Sequence, residues 1–393
     1  MKPRAIRDNV YLIGAVDWDR RLFDALIPLP QGTSYNAYYV RGSEKTALLD
    51  TVDPTMWPVL ERQLDELGPV DYVVHHHGEQ DHSGSLPFVL GKYPGALVVT
   101  NEKCRQELID HLHVPAERFK VVGDGDTLDL GGKTLRFVFT PWVHWPETMS
   151  TWLEEDRVLF SCDFFGSHLA TTDTYATPAV VAGPAKRYYA EIMMPFAGQV
   201  AKNVDKVMQF PVEVIAPSHG PVYDRPALIV DAYREWATGE PRNVVTLPYV
   251  TMHDSTRLMV DHLTAALADH GVAVERFDLT TVDLGELAMS LVDAATIVIG
   301  TPTVLTGPHP LAAYAAVVAN ALKPKARFAS VVGSYGWAGK AVEKLTDLLP
   351  NLKAEVLEPV MVKGLPREED YAALNSLAAE IARCHAGLAP RVA

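Results

Sequence analysis

Residues 75–84 read His75-His76-His77-Gly78-Glu79-Gln80-Asp81-His82-Ser83-Gly84, between the apolar run Asp71-Tyr72-Val73-Val74 and the helix-like segment SLPFVLGKY at 85–93. Four side chains of metal-ligand type, His77, Glu79, Asp81 and His82, fall within six positions. In a loop just past a strand they can converge from one turn of backbone on two neighbouring cations, and Gly78 and Gly84 permit the tight path. Read alone, the stretch has a plainer, less favoured alternative, a solvated polar loop with an accidental histidine run or a tag-like tract. Three distant segments change the balance, each placing a ligand-type residue directly after an apolar run: RFVFTPWVHW (136–145) with His144, RVLFSCDFFG (157–166) with Asp163, and VEVIAPSHGP (212–221) with His219. Singly, each has an ordinary explanation as a hydrogen-bonded core histidine or a turn-capping aspartate. Jointly, at strand ends, they predict a metal cleft. Four imidazoles with the carboxylates of Glu79, Asp81 and Asp163 make a harder, more anionic set than an all-histidine zinc site, which favours iron or manganese cycling between divalent and trivalent states. Asp163, with two oxygens, is the natural bridge between two ions.

Around this loop, up to about residue 240, the chain alternates short β-branched runs (NVYLIGAV, SYNAYYVRG, KTALLDT, GALVVT, TLRFVFT) with Gly, Pro and Asp, and helices separate only some of them. That pattern predicts sheets packed on one another with helices outside. After the Gly/Pro/polar stretch TGEPRN (238–243) strand and helix alternate strictly. Strands are expected at VVTLPYVT, VAVERFDL, ATIVIGTPT, RFASVVGS and AEVLEPVMV, and helices at STRLMVDHLTAALADHG, PLAAYAAVVANALK, GKAVEKLTDLL and REEDYAALNSLAAEIARC. Five βα units describe a doubly wound parallel sheet, whose ligand crevice lies at the carboxyl ends of its strands.

Composition narrows the function classes. The chain has 393 residues, 48% hydrophobic and 21% charged, an ordinary globular balance with room for two domains. Its 35 basic against 49 acidic residues give a formal charge of −14, which repels phosphate backbones and anionic lipid, so neither nucleic acid nor membrane is an expected partner. Cys104, Cys162 and Cys384 are far apart and never form a CxxC pair, so neither a disulfide framework nor a thiolate metal site is suggested and a reducing cytoplasm fits. The N-terminal MKPRAIRDNVYLIG lacks an apolar core for a signal peptide, and the longest nearly apolar stretch, about 311–322, is too short to span a bilayer.

The order of the ligand segments resembles that of the metallo-β-lactamase fold, whose hydrolases carry HxHxDH where this chain reads HxExDH, with Glu79 at the second histidine's place. That replacement resembles the flavodiiron proteins, or A-type flavoproteins. The likeness runs through LFDALIPLPQGTSYNAYYV, HWPETM, LFSCDFFGSH and APSHGP and continues past TGEPRN. It implies an α/β chain: a metallo-β-lactamase-like αββα sandwich with a diiron site over 1–242, then a flavodoxin-like doubly wound parallel sheet binding FMN over 243–393. It further implies that His77, Glu79 and His144 hold one iron, that Asp81, His82 and His219 hold the other, and that Asp163 bridges them; family members differ in whether the His82 position coordinates. His168, Tyr35 and Trp145 are candidates to shape the pocket or supply protons, ordinary packing being the alternative, above all for Trp145.

In the second half, Thr251-Met252-His253-Asp254-Ser255-Thr256 leads directly into a helix, where hydroxyls and free N–H groups can take a phosphate, although a plain N-cap accounts for Ser255 and Thr256 equally well. The flavodiiron form of this turn, Thr-Met-x-x-Ser-Thr, matches as it stands. Two further loops, Thr301-Pro302-Thr303-Val304-Leu305-Thr306-Gly307 and Gly333-Ser334-Tyr335-Gly336-Trp337-Ala338-Gly339, flank the same crevice, and Tyr335 or Trp337 can stack on a planar ring. No GxGxxG follows a strand and no rubredoxin-like CxxC pair occurs, so electrons are expected from an external donor, a rubredoxin-like protein or a reduced deazaflavin. The resemblance implies reduction of dioxygen to water and/or nitric oxide to nitrous oxide. It also implies a head-to-tail homodimer, or a dimer of dimers, that brings the flavin of one subunit beside the irons of the other. Two other classes fit parts of the sequence: a zinc hydrolase of the β-lactamase fold with an appended domain, and a flavodoxin-like electron carrier whose first half is a scaffold. Metal and flavin analysis separates all three.

Overall fold

The strand Thr33–Arg41 is buried along nearly its whole length because its two faces serve two cores: Tyr38 and Val40 point into one, Tyr35, Ala37 and Tyr39 into the other. It lies within a seven-stranded sheet ordered Arg4–Arg7, Val10–Asp17, Thr33–Arg41, Thr46–Leu49, Tyr72–Val74, Leu97–Thr100 and Phe119–Val121. A second sheet, ordered Thr127–Asp129, Thr134–Phe139, Met149–Leu153, Val158–Cys162 and Val214–Pro217, faces it across a core that includes Val74, Val99, Phe137, Phe160 and Ala216. On its other side the first sheet is covered by the helices Trp57–Leu67, Leu86–Lys92 and Glu102–Leu112, through Leu60, Leu64, Leu86, Val89, Cys104 and Leu108. The helix Ala197–Val207 is tied to the second sheet's end by Asn203 and Lys206, which donate to the carbonyls of Pro141 and Phe139. This is the αββα sandwich expected from the sequence.

The computed structural model describes residues 1–337 and 339–391, and these form two compact units, Met1–Ala237 and Thr238–Ala393. In the second unit the parallel strands run in the order Ala273–Asp278, Arg242–Tyr249, Ala294–Val304, Phe328–Tyr335 and then the edge. That is the 2-1-3-4-5 winding of flavodoxin-like sheets. Helices Ser255–Asp269 and Glu368–Cys384 cover one face through Met259, Leu263, Leu374 and Ile381. On the opposite face Ser290 of the helix Leu284–Asp293 meets Thr246 at 2.5 Å between hydroxyl oxygens.

Two local readings change. The helix Leu284–Asp293 was not among the expected helices; Asp283 caps it, its carboxylate accepting from Gly285 N–H, and its apolar residues are buried. The stretch AEVLEPVMV forms two edge strands, Glu355–Val356 and Val360–Lys363, rather than one, because Pro359 between them has no N–H for a ladder. Among the described residues no helix is long and apolar enough to cross a membrane.

Candidate metal centre and flavin pocket

The strands Thr134–Phe139, Val158–Cys162 and Val214–Pro217 run in one direction, and the chain leaving each carries His144, Asp163 and His219 to the same end of the sandwich. From the other sheet, Tyr72–Val74 delivers His77, and a short helical turn Gln80–Ser83 presents Asp81 and His82. The expected irregular loop is thus partly helical. Its first carbonyls are used within the turn, with Ser83 N–H donating to Glu79 O at 2.8 Å.

Asp163 divides the constellation. Its Oδ2 lies 3.5 Å from His77 Nε2 and 3.4 Å from His144 Nε2, and Glu79 Oε2 sits 3.0 and 3.2 Å from the same two nitrogens. Its Oδ1 lies 3.0 Å from His82 Nε2 and 3.3 Å from His219 Nε2, and Asp81 approaches these at 3.5 and 3.1 Å. Two groups of metal-ligand spacing result, His77–Glu79–His144–Asp163 and Asp81–His82–His219. All seven sequence-predicted ligands meet here. A third group of such spacing, Asp50, His76 and Cys162, is occupied internally: Asp50 accepts from His76 N–H and pairs with His76 Nδ1 at 2.6 Å, while His76 Nε2 meets Thr151 Oγ1. His75 is likewise buried structure beside Asp50.

The donor atoms fit cations better than one another. Both Asp81 oxygens, both His82 nitrogens and Asp163 Oδ1 are buried with no aligned hydrogen-bond partner among the described residues, despite their short separations. Buried polar atoms that converge without pairing are expected of ligands aimed at an ion. The field agrees. Burial alone lowers the basicity of these imidazoles, yet the carboxylates outweigh it and push His144 up to about 9 and His219 to about 10. Burial likewise favours a neutral Asp163, but the surrounding imidazoles hold it well below the usual carboxylate range. A pocket that attracts positive charge this strongly suits divalent metal.

Neighbouring groups aim the rings. His219 Nδ1 meets Ser34 O at 2.6 Å, and His77 Nδ1 meets Glu147 Oε1 at 2.6 Å, so each directs Nε2 at the centre. His168 is close but separate: its ring lies 4.8 Å from that of His219, and its Nδ1 pairs with Thr33 Oγ1 at 2.9 Å. Burial, and the neighbouring His219, hold it well below its ordinary value, hence neutral. Tyr35 lies edge-on to His219 at 5.9 Å between ring centroids, its hydroxyl buried and unpaired among the described residues, and Trp145 lies edge-on to His77 at 4.8 Å between centroids. Sequence reasoning missed two residues. Glu147 stood in the quoted HWPETM, three positions after His144, and its acidic side chain in an apolar context was the available signal. Tyr188 ends the helix Pro178–Tyr188, packs on His168 at 4.9 Å and faces Asp163, and nothing in PAVVAGPAKRY announces it.

In the second unit a cavity of about 210 Å³ opens at the carboxyl ends of the strands. Thr251, Met252, His253, Ser255, Thr256, Pro302, Thr303, Ser334, Tyr335 and Gly336 line it, as expected, and Gly364 joins them. Asp254, Val304, Leu305 and Trp337 do not line it: Asp254 pairs with Arg257 at the helix start, and Leu305 and Trp337 are exposed. Ala338 lies outside the described residues. Among the described residues Thr251 Oγ1 and Thr303 Oγ1 are buried without partners, and the helix Ser255–Asp269 begins with no side-chain cap, so hydroxyls and N–H groups are available to a phosphate.

Known proteins resemble this chain over nearly its whole length. A sequence profile described as "ODP family beta lactamase" matches residues 33–220. The coenzyme F420H(2) oxidase of Methanothermobacter marburgensis is 35% identical, covering 97% of this chain and 99% of that one. The chain belongs to the flavodiiron proteins. The nitric oxide reductase of Moorella thermoacetica is 32% identical over 97% of this chain and 98% of its own. Among solved structures, the rubredoxin oxygen:oxidoreductase of Desulfovibrio gigas superposes with a TM-score of 0.94 at 30% identity, covering 98% of each chain. As a flavodiiron protein the chain is an oxidoreductase, and its cofactor classes are flavin and iron; the hydrolase reading is not favoured.

Proposed function

We propose that this flavodiiron protein reduces dioxygen to water and/or nitric oxide to nitrous oxide, electrons passing from an external donor through FMN to a diiron site. The observation that carries the reading is Asp163, whose two oxygens serve two separate donor groups. When bound, FMN and two irons together store four electrons, the number dioxygen needs, and the irons add Lewis acidity at the gas. His77, Glu79 and His144 hold one ion, Asp81, His82 and His219 the other. Glu147 and Ser34 fix ring orientation. Phe23, its ring tilted against that of His168 at 5.3 Å between centroids, and the buried Tyr35 and Tyr188 keep bulk water from the centre. The Thr251–Thr256 turn binds the FMN phosphate by N–H and hydroxyl donors, and Tyr335 stands beside it for the ring. Donors of two kinds fit the absence of a CxxC pair, a rubredoxin-like protein or a reduced deazaflavin. A head-to-tail homodimer completes the electron path, and activity that survives dilution to monomer would contradict it.

The test is metal and flavin content of the purified protein, then anaerobic addition of nitric oxide or dioxygen to a photoreduced sample while flavin reoxidation is followed. About two irons and one FMN per chain with rapid reoxidation is expected. Asp163→Asn and His144→Ala should lose iron and gas reduction while retaining FMN. Zinc in place of iron, or near-normal turnover in either variant, would overturn the assignment.

A further inference from the structure

Two consecutive tyrosines serve different neighbours. Tyr188 faces Asp163 and lies 4.9 Å from His168 and 5.9 Å from the candidate ligand His219, between ring centroids. Gly166 makes room for it, since a Cβ there would stand 3.2 Å from Tyr188 Cζ. Tyr189, the next residue, opens the π-helical turn Tyr189–Met193, a local geometry frequent at functional sites. Its ring meets the helix Ala227–Thr238 instead, 5.3 Å from both Tyr233 and Trp236. Tyr233 and Trp236 share one face of that helix, at i and i+3, with rings 5.6 Å apart. Tyr233 is buried and also meets Phe165, just past Asp163, at 4.9 Å, whereas Trp236 is partly exposed. A run of aromatic rings therefore leads from the candidate metal centre to the surface. Packing alone does not ask for hydroxyls along it. Tyr189 is buried with its hydroxyl unpaired among the described residues, where a phenylalanine would fill the same space without stranding a polar group.

We propose that Tyr188, Tyr189, Tyr233 and Trp236 carry oxidising equivalents from the centre to the protein surface, a protective path used when dioxygen meets a chain short of electrons. The inference rests on the diiron reading above. Dioxygen needs four electrons and four protons to become two waters; the irons supply two electrons, and with the flavin oxidised two are missing. Each missing electron moves inward along the rings from Trp236, which releases its indole N–H proton to water and is left as a neutral radical. The oxygen being reduced takes up that electron with one proton. A one-electron reductant of the thiol or ascorbate class then returns an electron to Trp236, with a proton from water, and two such passages complete the balance. Tyr189 relays and does not store, because its buried hydroxyl has no acceptor for the proton it would have to lose. Trp236 has solvent for that purpose. Without the path, the same oxidant attacks the groups nearest the centre, His168, Tyr188 and the ligands themselves.

The experiment gives the iron- and FMN-loaded full chain only half of its electrons, exposes it to dioxygen in repeated cycles, and maps oxygen added to side chains by peptide mass spectrometry, with freeze-quench EPR for aromatic radicals. Wild type, Trp236→Phe and the double variant Tyr189→Phe/Tyr233→Phe are compared, beside metal-stripped wild type. Trp18, more exposed than Trp236 and outside the run of rings, reports oxidation by exposure alone. In wild type, oxygen addition at Trp236 should exceed that at Trp18 and a tryptophan radical should be trapped. In Trp236→Phe the radical signal should vanish. In the double variant marking of Trp236 should fall to the level of Trp18, and the added oxygen should move to peptides carrying Tyr188 and His168. Trp236 marked no more than Trp18, marked equally in metal-stripped protein, or marked as before in the double variant would overturn the proposal. Wild type that binds fewer than two irons or consumes no dioxygen would instead overturn the diiron reading. Iron content and unfolding midpoints of each variant separate a blocked path from a damaged fold.

Discussion

Gly220 follows the candidate ligand His219 with φ +80°, a backbone conformation L side chains rarely adopt. A Cβ there would stand 2.0 Å from Ser167 Oγ and 2.9 Å from Ser167 O. Gly220→Ala should therefore carry a left-handed conformational cost of about 1–2 kcal/mol and an overpacking cost of about 1–3 kcal/mol. The sum is about 2–5 kcal/mol. The surroundings cannot yield easily: Gly220 N–H donates to Ser34 Oγ at 2.8 Å, Gly220 O accepts from Asn36 Nδ2 at 2.7 Å, and Ser167 N–H donates to His219 O at 3.1 Å. Urea unfolding followed by tryptophan fluorescence reads the right unit, because of the seven tryptophans only Trp337 lies beyond residue 238. With a denaturant slope near the upper end for urea, about 3 kcal/mol/M, the midpoint should fall by roughly 1 M. The double variant Ser167→Ala/Gly220→Ala removes the Oγ collision but keeps the strained backbone and the Ser167 carbonyl contact. It should recover about half of the loss, and Ser167→Ala alone should be near neutral, since its Oγ has no partner among the described residues. A Gly220→Ala midpoint within 0.2 M of wild type, on that ~3 kcal/mol/M slope, or no recovery in the double variant, would refute the steric argument.

Thr251→Val and Thr303→Val each remove a buried, unpaired hydroxyl from the strand-end cavity and should each weaken FMN binding about 3- to 10-fold by flavin fluorescence titration; unchanged affinity in both would place the flavin elsewhere. His385, buried between Thr296 Oγ1 at 2.7 Å and Asn243 Oδ1 at 2.9 Å, is lowered by burial to about 4 against an ordinary 6.5. The unfolded chain then binds more protons between these values, so the second unit should have full stability from this group above pH 6.5 and lose about 1–2 kcal/mol as pH falls toward 4. A urea midpoint that is flat over that interval, or equally steep in His385→Asn, would contradict this. Phe137→Ala opens a cavity between the two sheets and should cost about 3–5 kcal/mol in the same unfolding assay, with Phe137→Leu losing far less.

The candidate ligand set was legible in the sequence because metal chemistry restricts residue type: His, Asp and Glu are the usual protein donors to such ions, and strand ends are where a sandwich opens. HxExDH, His144, Asp163 and His219 therefore stood out against apolar runs before any contact was known. The second unit's winding was legible for a similar reason, since strict alternation of strand and helix leaves few topologies. Trp337 and Leu305 show the limit, for residues in a loop beside a pocket need not face it, and loop direction is set by local dihedrals that composition does not encode. The helix Leu284–Asp293 was hidden because its short, mostly apolar run, broken by Glu286 and Ser290, leads without a break into the strand Ala294–Val304. What only the tertiary structure decided is which atom faces which: that Asp163 sends one oxygen to each group, that Glu147 and not water takes the far nitrogen of His77, and that Tyr188 closes the centre. These depend on side chains brought together from strands and helices up to 186 positions apart, and pairings at that separation leave no local spacing to read.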